Sequence, residues 1–542
     1  GKTQDGTYKT WGFNNNSDSL EETLYRISND AVDEHLDYIW RESHGTNHNH
    51  DTSAHGSFDA NFIVAYSEIF LYSTYIDSGV AEKGNVPGIT NVGILLARDI
   101  HMTESIKDVT GLDLCLNGFN LYASQNNSLV DLDVDNGLGF SLAILDCKDT
   151  SSIYGYGASN QVSKSLFDLK GASVYQPSNN PNLYLEGIKI KGFEYTGDTA
   201  GAIINASYSS VYLLGHVDNS NVAHKTSIET DASHDFDFND YTPIELFNTR
   251  LTVNHLNIAN IGTGLNKAIG DEGFFHMYGS ADFTDDYTGT VIHNNTIIGD
   301  AADITLKSIT FESEKAFFNL EDTYSIVNNN ENGYLTFKNI EVSDSEYVDI
   351  NDLADATETN AVKYSGVVNE KAGAKGALFY INNPNESKTL ERGLEIKNDT
   401  LKYLRAKTAG SGAAIYIEDF NSDLRNDYYN VNVEKVAFKH TESAGNGGAI
   451  YFKTNGTYDA RINLTLKDIN AVYGKVGSAV GDDANGGFIY ISNDAYTSLK
   501  NKLTIISDAA QSYIQGNAAT NDGGAIYITD TIFNVEGTGT VY

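Results

Sequence analysis

Apolar and polar positions alternate along most of this chain in short runs, separated by clusters of Asn, Asp, Gly and Ser from about residue 90 onward. A period of two is the mark of β-strands with one buried face. Two phrases recur within that pattern. The first reads Gly-Ala-Leu-Phe-Tyr from Gly376, Gly-Ala-Ala-Ile-Tyr-Ile from Gly412 and Gly-Gly-Ala-Ile-Tyr-Phe from Gly447. It returns as Gly-Gly-Phe-Ile-Tyr-Ile from Gly486 and Gly-Gly-Ala-Ile-Tyr-Ile from Gly523. Taking Leu378, Ile415, Ile450, Ile489 and Ile526 as its buried centre, the steps are 37, 35, 39 and 37 residues. Degenerate forms lie upstream at Ser165, Gly201, Glu245, Gly273 and Lys315.

The second phrase, Leu-Thr-Leu-Lys-x-Ile, starts at Leu183, Leu251, Ile304, Leu335, Val431 and Leu464, with weaker copies at Leu394 and Leu503. The two interleave, and a third strand is read in Ala471-Val-Tyr and Ser512-Tyr-Ile. A fixed period of this size means stacked repeats. Three strands per repeat predict an all-β fold in which each repeat is one coil of a parallel β-helix over residues 90–542. Ten or eleven coils at a rise of about 4.8 Å give a rod on the order of 50 Å long.

Residues 1–89 break the pattern. Leu20, Leu24, Ile27, Val32, Leu36 and Ile39 form an apolar stripe, with Ser17 or Asp18 to cap it and Glu21 and Glu22 in the first turn. They predict a helix over 18–43 that caps the first coil. A His- and Asn-rich loop over 44–60 follows.

The chain has 542 residues and a net charge of −37, so its surface repels nucleic acid and anionic membranes. With 40% hydrophobic residues it is too apolar for a disordered acidic chain. The 49 Gly suit tight corners and the 5 Pro leave long ladders intact. No apolar run is long enough for a transmembrane helix, so no direct membrane insertion is expected. Without a signal-peptide pattern at Gly1, and with a strand-like run reaching Tyr542, the chain reads as a piece of a longer secreted protein, truncated at its C-terminus. The alternative is a complete cytoplasmic protein. Cys115 and Cys147 lie 32 residues apart, close to one repeat, and are expected to be adjacent in a disulfide; the alternative is two buried thiols.

The Gly-Gly-Ala-Ile phrase resembles the repeat of chlamydial polymorphic outer-membrane proteins and related autotransporter passengers, well over 376–528 and in degraded form over 165–375. That family's Phe-x-x-Asn repeat is poorly kept and its C-terminal membrane barrel is missing. The stretch Leu114-Cys-Leu-Asn-Gly-Phe-Asn-Leu, followed by Ile144-Leu-Asp-Cys, is similar to large repeat-bearing surface proteins of gut-type Gram-positive bacteria, with Phe119 in place of their His. Both resemblances imply a right-handed parallel β-helix on an extracellular bacterial surface, adhesive or of unassigned role.

Candidate chemistry is sparse. The residue after each buried aliphatic, Phe379, Tyr416, Tyr451, Tyr490 and Tyr527, is expected to point outward as an aromatic column able to hold a sugar or a protein partner. Loops that cover it would make it merely structural. Replacing Tyr451 and Tyr490 together by Ser is expected to cost no more than about 1 kcal/mol. His44, His48, His50 and His55 with Asp51 have the side chains for Zn²⁺ but no visible supporting shell. Asp131, Asp133 and Asp135, and Asp482 with Asp483, match no calcium pattern and read as solvated carboxylates. No cofactor fingerprint is present.

The leading expectation is a non-enzymatic surface adhesin or passenger-like protein. Its partner would be a host or bacterial surface protein or glycan, with self-association open. The second is a polysaccharide lyase or glycoside hydrolase. The Arg-poor, acidic composition weighs against it, because acidic sugars would be repelled. The third is a structural stalk or filament subunit.

Overall fold

The computed structural model describes residues 61–65, 92–96 and most of 98–542. The longer stretches outside that description are 134–139, 156–163, 172–179, 195–200, 218–222, 230–235, 263–267, 344–365, 383–392, 419–427, 455–460, 478–482 and 494–499. The expected helix over 18–43 and the His44–His55 group lie outside the described residues. Among those described there is no helix, and none long and apolar enough to cross a membrane.

The strands stack in parallel, coil upon coil, as a parallel β-helix. The coil between Ile450 and Ile489 shows the plan. Ile450–Thr454 lies in a twelve-stranded sheet, the first face. Ile462–Lys467 forms the second face and Asn470–Val472 the third, with a short strand at Lys475–Val476 before the chain returns to the first face. Each strand pairs with its counterpart one coil on: Ile450 with Ile489, Leu464 with Leu503, Asn470 with Tyr513. Twelve strands on the first face, from Ile106–Lys107 to Ile526–Ile528, are one more than the upper number of coils expected. The second face begins earlier still, because Asn61–Ala65, inside the segment assigned to the cap, pairs with Val92–Leu96. Among the described residues, three small antiparallel pairs interrupt the solenoid, one of them His216–Val217 with Ala223–His224.

The second phrase encodes a corner. In Leu464-Thr-Leu-Lys-Asp-Ile, Leu464, Leu466 and Ile469 are fully buried, while Asp468 has φ of 51° and swings the chain from the second face to the third. The same left-handed residue stands at Gly187, His255, Asn339 and Lys435, each followed by a buried aliphatic. Asn and Asp tolerate this conformation better than other side chains. The copy at Ile304 has the same local shape on a different corner. Its Ser308, at φ of 52°, links Thr305–Lys307 on the third face to Ile309–Phe311.

The first phrase encodes the return to the first face. Gly447 has φ of 68°, and a Cβ there would sit 2.3 Å from the carbonyl oxygen of Ile450. Its neighbour Gly448 serves a different contact: a Cβ there would lie 2.0 Å from the carbonyl oxygen of Gly487 in the next coil. One glycine makes the turn, and the other lets two coils meet.

Counted from these glycines, the inward column is Phe167, Ile204, Ile244, Phe275, Phe318, Phe379, Ile415, Ile450, Ile489 and Ile526. Phe379 therefore corrects an expectation. It pairs with Ile415, is fully buried, and belongs to the core, and the outward residue is Tyr380. Leu378 is the residue before the column. Gly376-Ala-Leu-Phe-Tyr aligns residue for residue with Gly412-Ala-Ala-Ile-Tyr, so the aromatic Phe379 occupies the aliphatic position. Ile526 is half-buried, and Phe533 and Val535, in register with Leu503 and Ile505, are 46% and 57% exposed in the last coil.

The cysteine expectation is also corrected. Cys115 is a free, buried thiol, and its register neighbour is Leu145, two residues short of Cys147. Spacing by one repeat sets a coil, not a residue register. Cys147 itself lies outside the described residues.

Replacing Gly447 by Ala should destabilise the chain by more than about 1 kcal/mol, because the left-handed turn and the Ile450 carbonyl both oppose a Cβ. Chemical denaturation of the purified variant measures this. An unchanged midpoint would contradict the assigned role of the turn.

Candidate functional site

On the first face the side chains between the two inward columns point outward, and stacking lines them up. Toward the N-terminus they are charged or polar, as at Asp131, Asp168, Asn205 and Glu245. His276 and Asn319 follow. The last five are Tyr380, Tyr416, Tyr451, Tyr490 and Tyr527, a tyrosine ladder over five coils.

The ladder is packed more tightly than the sequence suggested. Ring centroids lie 4.7 Å apart between Tyr416 and Tyr451, 5.2 Å between Tyr451 and Tyr490, and 5.1 Å between Tyr490 and Tyr527. The planes are inclined by 20°, 6° and 4°. The rings therefore cover one another's faces. Tyr490 is only 7% exposed and Tyr380 1%, whereas Tyr416, Tyr451 and Tyr527 are half-buried. What these rings offer a partner is mainly edge and hydroxyl, not an open ring face.

The lower end of the ladder is anchored by charge. The Tyr380 hydroxyl donates to Glu418, whose two oxygens also accept from Lys375 Nζ at 2.8 Å. Lys315 and Lys375 approach the Tyr380 ring at 5.4 and 5.5 Å from its centroid. Burial, reinforced by the Glu418 carboxylate, pushes the Tyr380 and Tyr416 hydroxyls well above the usual tyrosine range. Both stay neutral.

Next to this anchor lies an acid–histidine cluster. Lys315 Nζ reaches Glu272 and Glu321 at 2.5 Å each, and Asn319 donates to Glu272 at 3.0 Å. The His276 ring is buried, stacks on Tyr278 at 4.1 Å, and places Nε2 at 3.7 and 3.9 Å from the two carboxylates. Glu272, His276 and Glu321 carry ligand atoms close enough for a metal ion. Lys315 already bridges that pair, so a dication would first have to displace an ammonium group. Burial works against ionisation of Glu321, but the nearby His276 ring, the hydrogen bond from Lys315 and the Lys315 charge hold it down at about 2. A general acid for glycoside cleavage needs the opposite shift.

Some groupings were not legible in the sequence. His101, Tyr122 and Tyr154 stack on the third face at 4.2 and 4.8 Å, and Tyr184 stacks on Tyr212 at 4.2 Å on the second. The strands of His101 and Tyr122 have only two residues, too short to show alternation. Only the recurrence of an aromatic about one repeat on could have pointed to them. Asp131 and Asp168 stack directly on one another, and each has a lysine beside it, Lys107 at 3.7 Å and Lys170 at 3.1 Å.

No protein-family model matches the chain, and no solved structure matches it. Over 133 residues, 24% of this chain, it is 33% identical to the probable outer membrane protein pmp6 of Chlamydia pneumoniae, and the match covers 10% of that protein. The chain thus spans about a tenth of the relative's length. This distant similarity and the stacked parallel strands fit a bacterial surface β-helix protein.

Replacing Tyr451 by Ser removes two ring stacks, each worth about 0.5–1.5 kcal/mol, and should cost on the order of 1–3 kcal/mol. Tyr451→Phe should cost far less. Equal thermal unfolding of the Ser variant and the parent would show that the rings do not support one another. For Glu321, a folded pKa of about 2 lies below the ordinary carboxylate value of 4.5. Its contribution is complete above pH 4.5 and is lost as pH falls toward 2. Unfolding of Glu321→Gln should therefore show a shallower acid dependence across that window than the parent. Parallel curves would remove the ion pair from the account.

Proposed function

We propose that this chain is the β-helical part of a non-enzymatic, adhesin-like protein of the bacterial surface. Its first face would engage a surface protein or glycan of a host or neighbouring cell. The observation that carries the reading is the tyrosine ladder. It sets hydroxyl edges about one coil apart along five coils of a sheet, beside the Lys375–Glu418 pair. Tyrosine supplies contact area and a hydrogen bond with few rotatable bonds, which suits it to recognition. The outer-membrane description of the chlamydial relative supports a surface location. The depressed Glu321 and the net charge of −37 weigh against cleavage of acidic sugars.

The test is the triple variant Tyr416→Phe, Tyr451→Phe, Tyr527→Phe, which keeps the stacked rings and removes three hydroxyls. Attachment to cells and binding on a glycan array should weaken on the order of a hundredfold, at about 1 kcal/mol per lost hydrogen bond. Thermal unfolding should stay near that of the parent. Undiminished attachment would place binding elsewhere. Release of reducing sugar from polysaccharide by the parent chain would favour an enzyme.

A further inference from the structure

One corner of the solenoid is built unlike its neighbours. The chain passes from the second face to the third through one left-handed residue at Gly187 and at His255. In the coil between them, Ser210–Leu214 and Thr226–Glu229 are instead separated by an inserted antiparallel ribbon, His216–Val217 with Ala223–His224. His216 and His224 face each other as register partners, and their rings stack at 4.7 Å.

The ribbon lies against the corner residues of other coils. The His216 ring passes over Gly187, where a Cβ would already lie 3.5 Å from Cε1. Beyond it, His224 Nδ1 meets the carboxylate of Asp149, the left-handed residue of an earlier coil. His216 Nδ1 lies 3.6 Å from Glu186 Oε1, with both side chains nine-tenths or more buried. At Gly215 a Cβ would come within 2.6 Å of the His255 Cβ, so glycine is needed where the ribbon leaves the coil.

We propose that Asp149, His216 and His224 form a site for a transition-metal dication of the zinc class. Their ligand atoms all lie within 4.8 Å of one another. Two imidazoles and one carboxylate are a zinc-type donor set, and Glu186 stands behind His216 where a carboxylate orients a ligating imidazole. Lys189 Nζ donates to the main-chain oxygen of Asp149 at 2.9 Å, and Lys225 Nζ to Thr305 at 2.7 Å. The Glu272–His276–Glu321 cluster offers one imidazole instead of two, and Lys315 bridges its two carboxylates. Zinc bonds are about 2.0–2.2 Å, so the ligand atoms must draw together. The inserted ribbon can move without breaking the coil ladder.

The test is titration of the metal-free full chain with Zn²⁺ and Co²⁺. His44, His48, His50 and His55 are replaced by Gln in the background chain so that the N-terminal group cannot contribute. Uptake of one equivalent, visible Co²⁺ bands and a zinc-dependent rise in thermal unfolding are expected. Asp149→Asn and His224→Gln, both at half-buried positions, should each weaken affinity at least tenfold while circular dichroism stays unchanged. Should either fail to fold, the other is read alone. Should both fail, protection of His216 and His224 from chemical modification by one equivalent of Zn²⁺ in the background chain decides. Absence of zinc uptake, wild-type affinity in the folded variants, or unprotected histidines would overturn the proposal.

Discussion

Everything in this molecule depends on the register between coils. A single coil of some 37 residues has too little interior to hold itself together, and its strands bury their apolar side chains only against the coils above and below. The inward column from Phe167 to Ile526 is continuous because every first-face strand sits directly over its predecessor. A slip of one residue would exchange the inside for the outside along the whole strand. The corners prevent such a slip. Gly447 and its counterparts fix where the first face begins, and left-handed residues such as Asp468 and Asn339 fix where the second ends.

That constraint explains which features the sequence disclosed. The alternation and the recurring phrases led directly to a parallel β-helix, because each phrase is a strand together with its corner. Assigning positions by residue type was less dependable. Leu378 looked like the buried aliphatic because Phe379 is aromatic, yet counting three residues from Gly376 to Phe379, as from Gly412 to Ile415, gives the register. The Ile304 copy of the second phrase lies at a different corner, because a strand, a left-handed residue and a buried aliphatic look alike wherever the chain turns. Cys115 and Cys147 lie in similar settings about one repeat apart, yet loop lengths vary from coil to coil and Leu145 takes the place beside Cys115. The His216–His224 ribbon was invisible for a related reason: it breaks the repeat that made the rest legible.

The same register that builds the core also organises the surface. An outward residue repeated in sequence becomes a column in space, as the tyrosines from Tyr380 to Tyr527 show. The acidic composition is managed in part by lysines set across from glutamates in neighbouring coils, as at Lys375 and Glu418, Lys402 and Glu341, or Lys407 and Glu442. Each exposed pair contributes little by itself. Their effect is to break up like charges that stacking would otherwise place one above another, about 4.8 Å apart.

A solenoid can therefore acquire chemistry in two physically different ways. Repetition gives an extended surface with one kind of contact offered many times, and the tyrosine ladder is of this kind. Such a surface suits a partner that is itself extended, and it gains affinity by summing modest contacts. Interruption gives a compact site made of unlike groups, because only a departure from the repeat brings side chains of different coils to one point. The ribbon carrying His216 and His224, laid across Gly187 toward Asp149, is of this second kind. The two features lie on different faces and share no residue. An inserted ribbon can change without disturbing the ladder, whereas a change in the first-face tyrosines acts on the stacks above and below. Specific chemistry is therefore to be sought at the interruptions of this fold, and broad adhesion along its repeats.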